Sequence, residues 1–155
     1  MMMNLTCDVI QALKGKTLVT AESCTGGGIG ATLTGVAGSS SVYKGGIISY
    51  TNWVKHHVLG VPQTLLDTVG AVSAPVAEAM AAGARRVLEA DIAVSVTGLA
   101  GPGGDEFGNP VGTVFIGYCD DRITFSRHFH FTGSREEVRI QAISAALALI
   151  LEQNQ

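Results

Sequence analysis

The stretch Thr17-Leu-Val-Thr-Ala-Glu-Ser-Cys-Thr-Gly-Gly-Gly28 decides the architecture. Its first half, Thr17 to Glu22, is a short apolar run and reads as a buried strand. Ser23 to Gly28 then forms a tight turn, and Ile29 and Leu33 follow on a helix. A strand feeding a helix through a glycine turn is half of a βα unit, and such units build layered α/β domains. Upstream, Leu5, Val9, Ile10 and Leu13 recur at helical spacing until Gly15. Downstream, Gly45 to Tyr50 reads as a second strand, followed by a helix through Lys55 to Leu59 that Gly60 ends. Pro62 opens a short helix at its first turn, and Ser73 caps a helix reaching Leu88.

Asp91 to Thr97 is a β-rich apolar run and predicts a central strand. The glycine-rich segment Gly98 to Pro110 is a loop. Val111 to Tyr118 and Ile123 to Phe131 predict two antiparallel strands joined by the turn Cys119 to Arg122. Ser134 caps a last helix to about Leu151, with Glu137 as its capping-box partner. The pattern predicts one α/β domain over residues 1–155, with three layers (α/β/α) and a mixed, partly parallel sheet.

Composition narrows the function. With 46% hydrophobic and 15% charged residues the chain is globular, not disordered. A net charge of −3 without a basic block argues against a nucleic-acid partner. Cys7, Cys24 and Cys119 show no CxxC spacing and read as free thiols in a reducing compartment. Met1 to Ile10 lacks a basic n-region, and no apolar stretch is long enough to span a bilayer. A cytoplasmic location with no membrane partner is therefore expected. The last helix, with Ile143, Leu147, Leu149 and Ile150, is more apolar than one buried face needs, so a homodimer is expected.

Three segments hold the candidate chemistry. In the first, Ser23, Thr25, Gly26 and Gly27 sit where a strand feeds a helix, and free N–H groups at a helix start attract an oxyanion or phosphate. The ordinary alternative is a capped turn with Ser23 as N-cap. The second is Gly38 to Ser41 with Tyr50 and Lys55. A serine hydroxyl needs a base, and neutral lysine is one. An unshifted lysine is neutral in only roughly one in 10³ to 10⁴ molecules at pH 7, so its pKa must fall by about 3 units, roughly 4 kcal/mol. Lys55 as a solvated helix residue is the plain alternative. The third is Thr97, Gly98 and Gly101, at the carboxyl end of the central strand where open α/β sheets bind ligands.

Weaker signals lie elsewhere. His128 and His130 share one face of a strand as a possible metal pair without an obvious third ligand. Cys24 sits at a helix start, which lowers a thiol pKa, but no histidine partner is identifiable. Arg135 and Arg139 are four residues apart and would clamp a phosphate, or form a solvated face.

Taken together, Ala-Glu-Ser-Cys-Thr-Gly-Gly (21–27), Gly-Ser-Ser (38–40), Gly-Gly-Ile-Ile-Ser-Tyr-Thr-Asn (45–52) with Lys55, Val-Thr-Gly-Leu-Ala-Gly-Pro-Gly-Gly (96–104) and Pro-Val-Gly-Thr-Val (110–114) resemble the CinA carboxy-terminal-domain family over nearly the whole chain. The resemblance implies hydrolysis of the carboxamide of nicotinamide mononucleotide to nicotinate mononucleotide and ammonia, in pyridine nucleotide recycling. It implies a small-molecule nucleotide substrate, no cofactor and no metal. Carried over by position, it implies Ser40, Lys55 and Tyr50 as catalytic residues with Ser23 beside them. Thr97 and Arg139 match substrate positions, and Arg135 is a second candidate. On this reading Ser40 attacks the amide and Lys55 takes its proton; the alternative makes Ser23 the nucleophile. A non-catalytic nucleotide-binding module of the same fold is the competing class. Many members carry a lysine just before Pro-Val-Gly where this chain has Asn109, and longer members add an amino-terminal domain, so a stand-alone form is expected.

Overall fold

The sheet is mixed and partly parallel, as expected, with its parallel pairs on the side of the glycine turn. The computed structural model describes residues 2–155. Its elements, in chain order, are α1 (Met2–Ala12), β1 (Leu18–Glu22), α2 (Gly28–Thr34), a 3₁₀ turn (Ser39–Ser41), β2 (Tyr43–Ile48), α3 (Asn52–His57), α4 (Gln63–Thr68), α5 (Ala74–Val87), β3 (Ile92–Gly98), β4 (Thr113–Cys119), β5 (Thr124–His130) and α6 (Arg135–Gln153). The strand order is β2-β1-β3-β4-β5. β1 runs parallel to β2 and β3, while β4 and β5 add antiparallel to β3. The sheet is mixed, with helices on both faces.

Strand alternation divides the core in two. Leu18, Ile92, Val94, Val96, Val114, Ile116 and Tyr118 pack with residues of α1, α2 and α6. Val19, Ala21, Ala93 and Cys119 pack with Leu59, Val61, Leu66 and residues of α5. The second face carries small residues, so α5 lies close to the sheet: the Ser95 hydroxyl donates to the Ala77 carbonyl of α5 at 2.5 Å.

Several boundaries moved. β2 begins and ends two residues before the expected Gly45–Tyr50; Ser49 N still donates to the Glu22 carbonyl, and Thr51 then caps α3. Ser73 stands at the α5 N-cap position, but its hydroxyl donates back to the Gly70 carbonyl instead of receiving a helix N–H. The capping box at α6 forms: Glu137 N donates to the Ser134 hydroxyl at 3.2 Å and Ser134 N to the Glu137 carboxylate at 2.9 Å. The surplus apolar residues of α6 are accounted for within the chain, since Leu147, Leu149 and Ile150 are buried against the sheet and α1. Ile143 lies against Gly28 of α2, leaving Ile140 exposed. No helix of the described residues is long and apolar enough to cross a membrane.

Gly83, inside α5, shows how tight this face is, since a Cβ there would overlap the Leu59 carbonyl oxygen. Alanine raises helix propensity by about 1 kcal/mol, but forcing backbone apart costs about 1–3 kcal/mol. The Gly83→Ala variant is therefore expected to melt lower than wild type in thermal unfolding. An unchanged or higher Tm would show that α5 can shift without cost.

Candidate active site

Because β1, β2 and β3 are parallel, their carboxyl ends meet at one edge of the sheet. There a cleft of about 310 Å³ is lined by Ser23 and Cys24 after β1, Tyr50 after β2, Lys55 of α3, Ala71 and Val72, the Thr97–Gly101 segment, and Arg135 of α6.

Lys55 is buried, only 1% exposed. Its ammonium donates to Ser23 Oγ at 3.0 Å, to the Ser49 carbonyl at 2.8 Å and to the Tyr50 carbonyl at 3.4 Å. Among the described residues no carboxylate forms an ion pair with it. Burial therefore lowers its pKa, from near 10.5 to about 8. Three oxygens match the three donors of an ammonium. A neutral amine keeps two donors for the carbonyls and turns its lone pair to the serine hydroxyl.

The serine at Lys55 is Ser23 and not Ser40, the first choice from the sequence. Ser40 is exposed in the 3₁₀ turn before β2, whereas Lys55 binds the carbonyls after it. A six-residue strand spans roughly 20 Å, and β2 lies between the two. Ser23 is held by its own N–H to the Val96 carbonyl at 3.0 Å and by Gly26 N donating to its carbonyl at 3.0 Å.

The α2 start is also not an open anion site. Glu22, only 2% exposed, occupies it with its carboxylate: Ile29 N (2.7 Å), Gly30 N (3.0 Å), Thr25 Oγ1 (2.8 Å) and Thr20 Oγ1 (3.2 Å) all donate to it. Ser23 is accordingly not the N-cap; Gly27 holds that position at φ 99°, and Gly26 has φ 59°. Left-handed backbone of this kind is what glycine permits. Thr25, Gly26 and Gly27 thus build the turn and do not line the cleft.

Arg135 and Arg139 separate in role. Arg139 donates through Nε to the Cys24 carbonyl at 3.0 Å and through Nη2 to the Thr25 carbonyl at 3.2 Å, bracing the turn. Arg135 lies at the mouth of the cleft, donating to the Gly101 carbonyl at 2.6 Å and the Tyr50 hydroxyl at 3.3 Å. Thr97, 1% exposed, donates to the Ala71 carbonyl at 2.8 Å. Asn109 is bound to Asp105 of its own loop at 2.7 Å and to the Val72 carbonyl, just ahead of α5, at 3.2 Å.

Cys24 does not behave as an activated thiol, since burial pushes its pKa up to about 11. His128 stacks on Phe115 at 4.6 Å, and His130 Nε2 lies 3.2 Å from the Val111 carbonyl. Among the described residues no three His, Cys, Asp or Glu side chains gather as a metal site. Glu22 and Ser49 escaped the sequence reading. A charged residue ending the apolar run Leu18 to Ala21 was the available signal for Glu22; Ser49 contributes a main-chain carbonyl, which carries no signal.

The molecule is thus an α/β protein with a serine–lysine cleft at the carboxyl ends of its parallel strands. A family model described as the CinA C-terminal domain matches residues 3–154, and the chain belongs to that family. It is 47% identical over 135 residues to the "Nicotinamide-nucleotide amidohydrolase PncC" of Pseudomonas putida, covering 87% of this chain and 84% of the relative. It is 47% identical over 133 residues to a "CinA-like protein" of Geobacter sulfurreducens, covering 85% of this chain and 32% of that protein. The chain spans about a third of the length of the CinA-like relatives it matches. The crystal structure of a CinA superfamily protein from Escherichia coli superposes with a TM-score of 0.96 at 35% identity, covering 99% of this chain and 90% of that one. A competence/damage inducible protein from Agrobacterium tumefaciens gives 0.95 at 38%, covering 99% and 96%.

The lysine can be tested through stability. Below pH 8 folded and unfolded chains both hold its proton, and the folded state bears the penalty of about 3 kcal/mol. Between pH 8 and 10.5 the unfolded chain still holds a proton the folded one has released, so stability rises with pH. Cys24, raised from 9.0 to about 11, opposes this above pH 9. Relative to Lys55→Met, wild type is expected to gain about 1 kcal/mol between pH 7 and pH 9 in urea unfolding. A difference that stays flat over that range means an ordinary lysine.

Proposed function

We propose that this chain hydrolyses the carboxamide of nicotinamide mononucleotide to nicotinate mononucleotide and ammonia, with Ser23 as nucleophile and Lys55 as general base. The observation that carries this reading is the buried Lys55 ammonium 3.0 Å from Ser23 Oγ without a counter-charge. The name of the P. putida relative supports the substrate.

At a pKa of about 8, roughly one Lys55 in ten is neutral at pH 7. The neutral amine takes the Ser23 proton as Oγ attacks the amide carbon. The same proton passes from Lys55 to the leaving nitrogen as the C–N bond breaks and ammonia departs. Water then attacks the acyl-serine, giving its proton to Lys55, and the acid leaves as Ser23 Oγ recovers a proton. Among the described residues the Cys24 and Thr25 N–H groups have no acceptor oxygen, and they follow the nucleophile directly in the chain, where they suit the developing oxyanion. Arg135 exchanges its contacts with Gly101 and Tyr50 for the phosphate. Thr97, Gly98 and Gly101 wall the ring's side of the cleft, and Tyr50 orients Arg135 while its carbonyl holds Lys55. Recycling of pyridine nucleotides is the process this reaction serves.

Purified protein given nicotinamide mononucleotide is expected to release ammonia. Ser23→Ala should lower kcat by about 10³-fold or more, while exposed Ser40→Ala should stay within about twofold. The kcat/KM should rise with pH around a midpoint near 8, as the base loses its proton. Nucleotide binding without ammonia release, or an acyl label on Ser40, would overturn the assignment.

A further inference from the structure

The carboxylate of Glu22 is buried and among the described residues has no ionic partner, yet four groups donate to it: two main-chain N–H groups of α2 and the hydroxyls of Thr20 and Thr25. Burying a charge is costly unless every lone pair is satisfied, and here the helix start adds favourable dipole charge. The arrangement fixes the turn on both sides of Ser23. Through its carboxylate, Glu22 ties Thr25 and the first turn of α2 back to the end of β1. Through its main-chain carbonyl, it accepts from Ser49 N at 2.8 Å, and the Ser49 carbonyl in turn accepts from Lys55 Nζ at 2.8 Å. One residue thus anchors the strand end carrying the serine and the carbonyl that holds the lysine. Tyr43 supports it, its hydroxyl lying 2.7 Å from Thr20 Oγ1.

We infer that Glu22 is a positioning residue for the serine–lysine pair: its buried carboxylate closes the Ser23–Thr25 turn onto α2 and so sets the Ser23 hydroxyl opposite Lys55. The inference rests on Ser23 being the nucleophile. Glu22 touches neither the substrate cleft nor Lys55. Its loss should therefore act on the geometry of attack and leave substrate binding and the basicity of the lysine alone.

The test is Glu22→Gln, which keeps the shape but turns an NH₂ toward one pair of donors. A displacement of the nucleophile by about 1 Å costs on the order of 10²-fold in rate. The expected result is a 10- to 100-fold lower kcat per active site, counted by the burst of acyl-enzyme. KM should stay within about twofold, and the pH midpoint should remain near 8. Thr25→Val, which removes one donor and keeps the volume, should lower kcat several-fold in the same way and serves if Glu22→Gln does not fold. A merely structural role gives fewer active sites in the burst with unchanged kcat for each, and that result overturns the inference. So does a shift of the pH midpoint, which would mean that the carboxylate acts through the charge of Lys55. If wild type releases ammonia but Ser23→Ala does so equally well, the nucleophile assignment fails and the positioning role of Glu22 falls with it.

Discussion

Lys55 is withdrawn from water, given three oxygens and denied a counter-charge, and the rest of the site follows from that constraint. An ammonium with a carboxylate neighbour stays protonated; one surrounded only by dipoles gives up its proton more readily. Two of its acceptors, the Ser49 and Tyr50 carbonyls, are main-chain groups freed because β2 ends at Ile48 and the chain turns into α3. Thr51 starts that helix, and Lys55 lies one turn later, so its side chain returns to the carbonyls just passed. The segment 49–55 is a self-contained lysine holder, and only the serine comes from another strand.

That second part depends on the parallel pairing of β1 with both neighbours. Glu22 is in register with Ile48 of β2 and with Val96 of β3. The residues after these strands are therefore brought together whatever their separation in sequence: Ser23, Tyr50 and the Thr97–Gly101 loop. The antiparallel β4 and β5 add nothing to the cleft lining; they extend the sheet beneath α5 and α6.

The layered α/β fold was legible because it rests on patterns of apolar spacing and glycine turns that survive in a single sequence. The cleft was half legible. Lys55, Tyr50, Thr97, Gly98, Gly101, Arg135 and Ser23 were all singled out, and they meet. The pairing within them was not, since Ser40 and Ser23 are equivalent hydroxyls until the register of β2 is known. Ser40 precedes this strand and Lys55 follows it in the expected bounds as in the observed ones; what a single sequence does not carry is the parallel pairing that sets Ser23 beside the far end. The anion site expected at α2 failed for a related reason. An empty helix start and one filled by a side chain from the preceding strand share the same glycine signature, and only the position of Glu22 decides between them.

The same register explains how a buried anion and a buried cation coexist without pairing. Side chains on β1 alternate between the faces: Leu18 toward α1, α2 and α6, Val19 and Ala21 toward α5. Glu22 falls on the first face and meets α2; Ser23, next in the chain, turns to the second and meets α3. The downward shift of Lys55 comes from burial. A slip of one residue would exchange the two faces. The carboxylate would then face the ammonium and hold it protonated, while the helix start would lose its cap. The alternation of a short strand thus does two tasks at once: it keeps the anion where it shapes the turn and out of reach of the lysine whose pKa burial lowers.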